Sequence, residues 1–217
     1  FGKTEEVDSG DKIDVYYSHE AKQWYGVVGG WYFHGDVVDD IAEGDQGEVK
    51  LNGHPESFQI ERGGTRVYVN VPGGVIGGGG AVVVADLSRG KVLETWTLKE
   101  AGRNFPMALE GERLYVGCRR PARLVILDTT SGRTLEALEC VGDADDVFVD
   151  PAHGRTFVSG GDGTFDIFTA GADGRHTRQS IRTAPGARTC CFDGGSSRLF
   201  VAAPAHGESA ARIIEFG

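Results

Sequence analysis

The chain repeats a pair of strands with a period of about forty residues, and this repeat constrains the fold more than any other feature. Four clear copies of the second strand occupy residues 66–70, 113–117, 155–159 and 198–202. A weaker copy precedes them, so the equivalent positions are Gln23, Arg66, Arg113, Arg155 and Arg198. The steps between these positions are 43, 47, 42 and 43 residues. A strand-built period near forty is typical of the blades of a β-propeller.

The sequence also predicts a third and a fourth strand in the clearest units. Residues 81–86 and 91–96 form one such pair, and residues 123–128 and 134–138 form another. The β-branched run 82–84 favours a strand buried on both faces, and an Asp before a Ser- or Gly-containing turn supplies hydrogen bonds to the turn. Helix signals are almost absent. The sequence therefore predicts an all-β protein of four-stranded antiparallel blades.

We expect one β-propeller domain over residues 1–217, with five visible units. The units lie roughly at 13–50, 54–100, 104–141, 143–184 and 186–217. The last unit ends after its third strand, so two arrangements remain open. Five units could close as a small ring, with residues 3–7 completing the last blade, or the chain could be an N-terminally truncated part of a larger ring.

Charge and composition exclude some classes of partner. The formal net charge is −10 and the pI is about 5.0, which disfavours nucleic acid because no basic stripe offsets the repulsion of phosphates. No stretch approaches the ~18 apolar residues of a transmembrane helix. The cysteines have no metal-ligand spacing, and we expect them to be buried as small hydrophobic residues; they are Cys118, Cys140, Cys190 and Cys191.

Five segments carry a resemblance to a known family. They are HPESFQ (54–59), NFPMAL (104–109), CRRPA (118–122), GDADD (142–146) and PGART (185–189). With the second strands rich in Tyr and Val, they resemble bacterial YVTN-type, YncE-like β-propeller proteins from about Ile13 to the C-terminus. The resemblance implies the propeller fold, but most members have no assigned activity. It also implies a truncated or mature form of a longer protein, and a periplasmic or secreted location.

Polar residues gather at one phase of the repeat, just ahead of the first strand of each unit. First strands line the central channel of a propeller, so these residues should ring one mouth of that channel. The predicted ligand-binding residues are His54, Glu56, Asn104, Asp143, Asp145, Asp146 and Arg188. The nearby pair Arg119 and Arg120 could grip a carboxylate or phosphate, pair with the acidic mouth, or lie in a solvated loop.

Two interpretations of this mouth remain open. Glu56, Asn104 and Asp146 could ligate a divalent cation, Ca²⁺ or Mg²⁺, with His54 as a base or further ligand. By fold analogy that would suit a lactonase-type hydrolase. Alternatively, these groups accept backbone hydrogen bonds and Arg188 neutralises the cluster. We favour a non-catalytic binding or scaffold protein for an unknown small molecule or protein, with the metal-dependent hydrolase and a protein-interaction platform as alternatives.

Overall fold

The computed structural model divides the chain into two compact units, residues 1–46 and 47–217. In the first unit it describes the backbone of three antiparallel strands in the order β1 (Asp14–Ser18), β2 (Gln23–Val28) and β3 (Trp31–Asp36). In the second unit it describes residues 48–62, 64–73 and 79–217. The candidate closing strand at 3–7 and the acidic stretch after Asp36 up to residue 47 lie outside the described residues. The expectation of one domain over the whole chain therefore stays a prediction.

The second unit consists of four consecutive antiparallel sheets, which we name blades A to D. Their strands follow one another in sequence order within each sheet. Blade A is β4 (Phe58–Ile60), β5 (Arg66–Val71), β6 (Ala81–Asp86) and β7 (Lys91–Thr97); blade B is β8 (Gly102–Glu110), β9 (Arg113–Arg120), β10 (Ala122–Asp128) and β11 (Thr134–Glu139); blade C is β12 (Ala144–Asp150), β13 (Arg155–Gly160), β14 (Thr164–Ala170) and β15 (His176–Arg182); blade D is β16 (Thr189–Asp193), β17 (Arg198–Ala203) and β18 (Arg212–Phe216). The predicted all-β fold of four-stranded antiparallel blades is confirmed, as is the last blade that ends on its third strand.

Apolar side chains fill the space between successive blades. The second and third strands of each blade carry them on both faces, so that Val82 and Val84 pack towards blade B while Val83 packs on the opposite side. Separate clusters lie between blades A and B, B and C, and C and D. Burial on both faces explains why these strands read as continuous apolar runs rather than as alternating ones.

Aspartates fix several of the turns, as the sequence predicted. Asp128 accepts hydrogen bonds at Oδ1 from the Ser131 amide (2.8 Å) and the Ser131 hydroxyl (2.7 Å), and Asp86 accepts one from the Ser88 hydroxyl (2.6 Å). Bonds from these serines lower the pKa of both carboxyls, because they stabilise the ionised form. These turns are therefore stabilised by residues within the turn and do not depend on contacts between blades.

The expectation for the cysteines is confirmed at three positions and wrong at one. Cys118, Cys140 and Cys190 are buried, and burial raises the pKa of each thiol to about 12. Cys191 is exposed, because neighbouring residues of β16 point to opposite faces and its face is uncovered.

Among the described residues, no helix is long and apolar enough to cross a membrane.

A single turn glycine tests the contact between blades A and B. Gly132 has φ of +67°, and a β-carbon placed on it would lie 2.4 Å from the indole ring of Trp96. Gly111 has φ of +56° with nothing within 4 Å of such a carbon. We expect Gly111→Ala to lower the free energy of unfolding by about 1 kcal/mol through backbone strain, and Gly132→Ala to lower it by roughly 1–3 kcal/mol more. Urea unfolding of both variants measures the difference, and equal losses would contradict the Trp96 contact.

Candidate functional site

The first strands of successive blades lie side by side and run in the same direction. Contacts join β4 to β8, β8 to β12 and β12 to β16. The Ser57 hydroxyl donates to the carbonyl of Phe105, and two residues further along Gln59 Nε2 donates to the carbonyl of Met107 at 3.2 Å. Because the order is the same on both strands, the ends at which the chain enters β4 and β8 lie together. We call this end of the first strands the mouth.

Two first strands begin earlier than the sequence indicated. β8 begins at Gly102 and β12 at Ala144, so Asn104, Asp145 and Asp146 lie within strands rather than in turns ahead of them. Each strand has an irregularity in its pairing at this point, between Asn104 and Met107 and between Ala144 and Asp146. A bulge adds a residue without ending the strand, which re-aims the side chains beside it.

Two arginines and two aspartates form an ion-pair network across three blades, which we call the mouth network. Arg119 of blade B contacts Asp143 Oδ1 (Nη1, 3.1 Å) and Asp145 Oδ1 (Nη2, 2.7 Å), and its Nε donates to the carbonyl of Ala144 at 2.8 Å. Arg188 of blade D contacts the other oxygens, Asp143 Oδ2 at 3.2 Å and Asp145 Oδ2 at 3.6 Å. All four carboxylate oxygens therefore face a guanidinium.

Arg119 is also fixed by an aromatic ring. Its guanidinium carbon lies 4.1 Å from the centre of the Phe105 ring, a cation–π geometry worth about 0.5–1 kcal/mol. The Arg119 side chain is half-buried, so its ion pairs are less screened by solvent than those of a free surface arginine. The network thus holds a rigid arrangement of alternating charge, with Arg188 the most exposed member.

Asn104 is fully buried at the junction between blades A and B. Its amide nitrogen donates to Asn70 Oδ1 at 2.7 Å and to the carbonyl of Ala81 at 2.8 Å. Asn70 in turn donates to the carbonyls of Phe105 (2.9 Å) and Pro106 (3.2 Å). The Asn104 Oδ1 atom packs against Gly80 and has no hydrogen-bond partner among the residues that the structure describes. Asn70 and Asn104 therefore link blades A and B, because each side chain donates to backbone carbonyls of the other blade.

Asp146 is held differently from its neighbour Asp145. Its Oδ2 accepts a hydrogen bond from the backbone N–H of Cys190 at 2.7 Å, which ties the first strand of blade C to that of blade D. Burial raises the pKa of the Asp146 carboxyl to about 6, with the Cys190 bond acting in the opposite direction and the charge of Asp145 adding to the increase. Asp146 therefore changes charge in a range where ordinary aspartates stay ionised.

His54 and Glu56 lie at the blade A end of the mouth. His54 Nε2 is 3.6 Å from Glu56 Oε1, and the histidine side chain is largely exposed. The Glu56 amide donates to the carbonyl of Asn70 at 2.9 Å, which fixes the backbone but leaves the carboxylate partly exposed. No contact among the described residues joins this pair to the mouth network.

The structure brings three of the seven predicted residues together in the mouth network and gives the other four separate contacts. Asp143, Asp145 and Arg188 share the network, and Asp146 lies beside it in sequence. The alternative cation ligands Glu56, Asn104 and Asp146 are not joined by any hydrogen bond in the described part of the chain. Within that part, no group of three His, Cys, Asp or Glu side chains is arranged to hold a metal ion. The cation set remains a prediction from the sequence.

The mouth opens onto a cavity of about 380 Å³ between the first strands of blades A, B and C. Ser57 and Gln59 line it from β4, Met107 and Leu109 from β8, and Asp146 and Val147 from β12, among other residues. Polar side chains line it at both ends, with Asp146 near the mouth and Glu110 at the far end of β8. The volume of this cavity lies within the range of cavities that bind small molecules.

Three residues that build the mouth are not among the seven predicted ligand-binding residues. Arg119 was noted only as one of several possibilities, although it makes the most contacts in the network. Asn70 and Ser159 are the next-to-last residues of the second strands of blades A and C. Asn70 donates to the carbonyl of Phe105 in β8, and Ser159 donates to the carbonyl of Arg188, directly before β16. The repeat could have revealed both residues, because they are polar at a position where blades B and D have the small residues Gly117 and Ala202.

Neutralising Asp146 should make the protein more stable at neutral pH. Its folded-state pKa of about 6 exceeds the usual value near 3.8, so ionisation of this group costs stability as the pH rises from about 4 to about 7. We expect Asp146→Asn, which keeps an oxygen acceptor for the Cys190 N–H, to raise the free energy of unfolding at pH 7.5 by roughly 1–3 kcal/mol and by little at pH 4. Urea unfolding across this range measures it, with Asp173→Asn, in an exposed turn, as the control. A decrease in the free energy of unfolding that is the same at every pH would contradict a raised pKa for the Asp146 carboxyl.

A double-mutant cycle should show that the mouth network is stronger than a surface ion pair. Arg119–Asp145 and Arg198–Glu215 have the same 2.7 Å separation, but the second pair is about half exposed. We expect a coupling free energy of about 1–2 kcal/mol for Arg119→Gln with Asp145→Asn, and at most about 0.5 kcal/mol for Arg198→Gln with Glu215→Gln. Thermal or urea unfolding of the wild type, the four single variants and the two double variants gives both values, and equal coupling free energies would contradict a stronger interaction in the mouth network.

Comparison with known proteins identifies the fold. No protein-family model matches the chain, and no curated protein matches its sequence. Solved structures do match. Hydrazine synthase of Kuenenia stuttgartiensis matches with a TM-score of 0.62 and 16% sequence identity, over 81% of this chain and 49% of that one. The β-propeller domain of Cps50 (Swd1) of Myceliophteria thermophila matches with a TM-score of 0.59 and 12% identity, over 73% of this chain and 51% of that one, and the WD40 β-propeller domain of Doa1 matches with a TM-score of 0.56 and 12% identity, over 90% of this chain and 58% of that one. The chain spans about half the length of these structures. At this identity the likeness concerns the fold alone, and the fold is that of β-propeller blades.

Proposed function

We propose that this chain is a non-catalytic β-propeller scaffold that binds a small molecule or a protein segment at the mouth. The observation that carries the proposal is the mouth network, in which paired charges from three blades are fixed in place and remain partly exposed. A rigid surface of alternating charge needs little ordering on binding, which favours recognition. The likeness to WD40 propeller domains supports a scaffold role in general.

The same contacts favour binding over cation-dependent hydrolysis. A cation would have to compete with two guanidinium groups for the oxygens of Asp143 and Asp145. At Asn104, both observed donors are engaged and the side chain is fully buried. At Asp146, one oxygen already accepts the N–H of Cys190. A metal ion would therefore have to displace an existing partner at Asp143, Asp145 and Asp146, and it could reach Asn104 only through an Oδ1 atom that is buried against Gly80.

The exposed groups indicate what a ligand would meet. Arg188 offers a half-exposed guanidinium, while His54 and Glu56 offer an exposed imidazole and a partly exposed carboxylate on the opposite side of the mouth. A ligand with both an acidic and a basic group, such as a peptide segment or an amino-acid-like molecule, would complement them. A periplasmic or secreted location and membership of the YVTN-type family belong to this proposal and rest on the sequence resemblance.

Site-specific photo-crosslinking tests the mouth as the binding surface. The crosslinking residue p-benzoylphenylalanine would replace His54, whose side chain is exposed at the mouth, and in a control protein Leu135, which is exposed on β11. Both would be irradiated in extract of the organism that encodes the chain. We expect adducts that form only from position 54 and that disappear with Arg188→Gln. Equal labelling from both positions, or labelling that ignores Arg188→Gln, would contradict the proposal.

A melting experiment separates the hydrolase alternative from the scaffold. CaCl₂ or MgCl₂ should leave the melting temperature of the protein unchanged, because the carboxylates of the mouth already have partners. A rise of several degrees that is lost in Asp146→Ala would support the cation site and count against the scaffold proposal.

A further inference from the structure

Where the first strands end, opposite the mouth, the first two strands of each blade are joined by a turn between an acidic residue and an arginine. The four pairs are Glu61–Arg66, Glu110–Arg113, Asp150–Arg155 and Asp193–Arg198. In blade C the arginine holds the acid tightly, since Nε and Nη2 of Arg155 donate to Asp150 Oδ2 at 3.0 Å and 2.7 Å. The two charges at this position can therefore neutralise each other within one blade.

Blade A has the same two charges but does not pair them closely. Arg66 Nη1 lies 3.5 Å from Glu61 Oε1, which is longer than the usual ~2.9–3.0 Å, and the hydroxyl of Tyr68 donates to that same oxygen. Tyr68 is fully buried, and a buried hydroxyl without an acceptor is strongly unfavourable. Blade C has Phe157 at the equivalent position, so Asp150 accepts no such bond and is free to bind its arginine.

Arg66 is left with most of its donors unused. Its other hydrogen bond among the described residues is also 3.5 Å long, from Nη1 to the carbonyl of Thr129 in blade B. Nε and Nη2 have no hydrogen-bond partner in the described part of the chain, and the side chain is 37% exposed. A guanidinium with two free nitrogens can bind a carboxylate through two parallel hydrogen bonds.

Arg66 lines a cavity of about 560 Å³ between blades A and B, which we call the turn cavity. Its other lining residues lie at 59–62 in blade A and at 109–112 and 129–130 in blade B. Both blades have all four strands, so two complete blades form the walls of the cavity. Its volume falls in the ~300–1,000 Å³ range of small-molecule sites.

The two walls of the turn cavity carry opposite charges that do not meet. Blade A contributes Arg62 and Arg66, and blade B contributes the exposed carboxylates Glu110 and Glu112. In the described part of the chain, the one ion pair that any of these four residues makes is the 3.5 Å contact of Arg66 with Glu61. Opposite charges on two walls, with no contact between them, complement a molecule that carries both charges.

We propose that the turn cavity binds a small zwitterion, a molecule with one carboxylate and one ammonium group, such as a free amino acid or a short peptide. The carboxylate accepts hydrogen bonds from Nε and Nη2 of Arg66, and the ammonium group lies against Glu110 and Glu112. A molecule with only a negative charge would be repelled by the two carboxylates of blade B. A molecule with only a positive charge would leave Arg66 unpaired.

This site is distinct from the mouth. The turn cavity adjoins the mouth cavity along β4 and β8, where Gln59, Leu109 and Glu110 line both. Arg66 and Glu112 line only the turn cavity, whereas the mouth network lies at the other end of the first strands. Binding at the turn cavity therefore does not depend on the function proposed for the mouth.

Tyr68 is a positioning residue of this site, because it draws Glu61 away from Arg66. We expect Tyr68→Phe to give blade A the arrangement of blade C, with Arg66 paired to Glu61 and the affinity for a zwitterion about tenfold lower. The double variant Tyr68→Phe with Glu61→Gln should restore the affinity, because a neutral amide holds a guanidinium less strongly than a carboxylate does. A purely structural effect of Tyr68→Phe would not be reversed by the second substitution.

Calorimetric titration with alanine, dialanine and trialanine tests the site, since these zwitterions differ in the distance between their charges. The N-acetylated form of each keeps only the carboxylate, and the amidated form keeps only the ammonium group. Arg66→Gln removes the proposed anchor, and Arg198→Gln is the matched control, because Arg198 has the same position in blade D and does not line the cavity. Glu112→Gln, in an exposed turn, is a second variant should Arg66→Gln fail to fold by circular dichroism.

We expect at least one of the three zwitterions to bind with a dissociation constant of about 1 mM or lower, and its two blocked forms to bind at least about tenfold more weakly. Arg66→Gln should weaken binding by about tenfold or more and Glu112→Gln by several-fold, with Arg198→Gln equal to the wild type. No binding of any of the three, equal affinity for the blocked forms, or unchanged affinity in both Arg66→Gln and Glu112→Gln would overturn the proposal. Binding that Arg188→Gln abolishes and Arg66→Gln leaves intact would also overturn it, and would place the zwitterion at the mouth.

Discussion

The packing of one blade face against the next is the interaction on which the rest of this structure depends. A single blade has apolar side chains on both faces and can bury them only against its neighbours. The interior clusters accordingly contain residues of two adjacent blades. This arrangement brings the first strands together, and the polar residues that precede or begin them then face one another. The polar residues of the mouth are therefore brought together by the apolar packing between blades.

Once assembled in this way, the polar residues at the mouth serve first as ties between blades. Ser57 and Asn70 join blade A to blade B, the mouth network joins B, C and D, and Asp146 joins C to D. Directed hydrogen bonds of this kind fix the register between blades, which apolar packing alone leaves loose. The binding surface is therefore preorganised by the contacts that hold the fold together.

The repeat in the sequence allowed the strands, their antiparallel order, the turn aspartates and the short last blade to be predicted, because these depend on local pattern. The same repeat also pointed to Asp143, Asp145 and Arg188, which meet in the mouth network. It could not show which polar groups meet, since that depends on the bulges in β8 and β12. Asp166 illustrates the limit: it replaces the valine of blades A and B in its third strand, and it is fully buried, bonded to Arg178 (2.9 Å), Ser180 (2.5 Å) and the amide of Val141 (2.6 Å). Its partners come from another strand and another blade.

We propose that the charged groups of the mouth pair with one another rather than ligate a cation. A crystal structure determined from crystals grown with saturating CaCl₂ tests this most directly. If this proposal is right, Arg119 stays between Asp143 and Asp145, and the Asn104 amide nitrogen stays hydrogen-bonded to Asn70 and to the carbonyl of Ala81. A calcium ion bound to Glu56, Asn104 and Asp146, with the network opened, would contradict it.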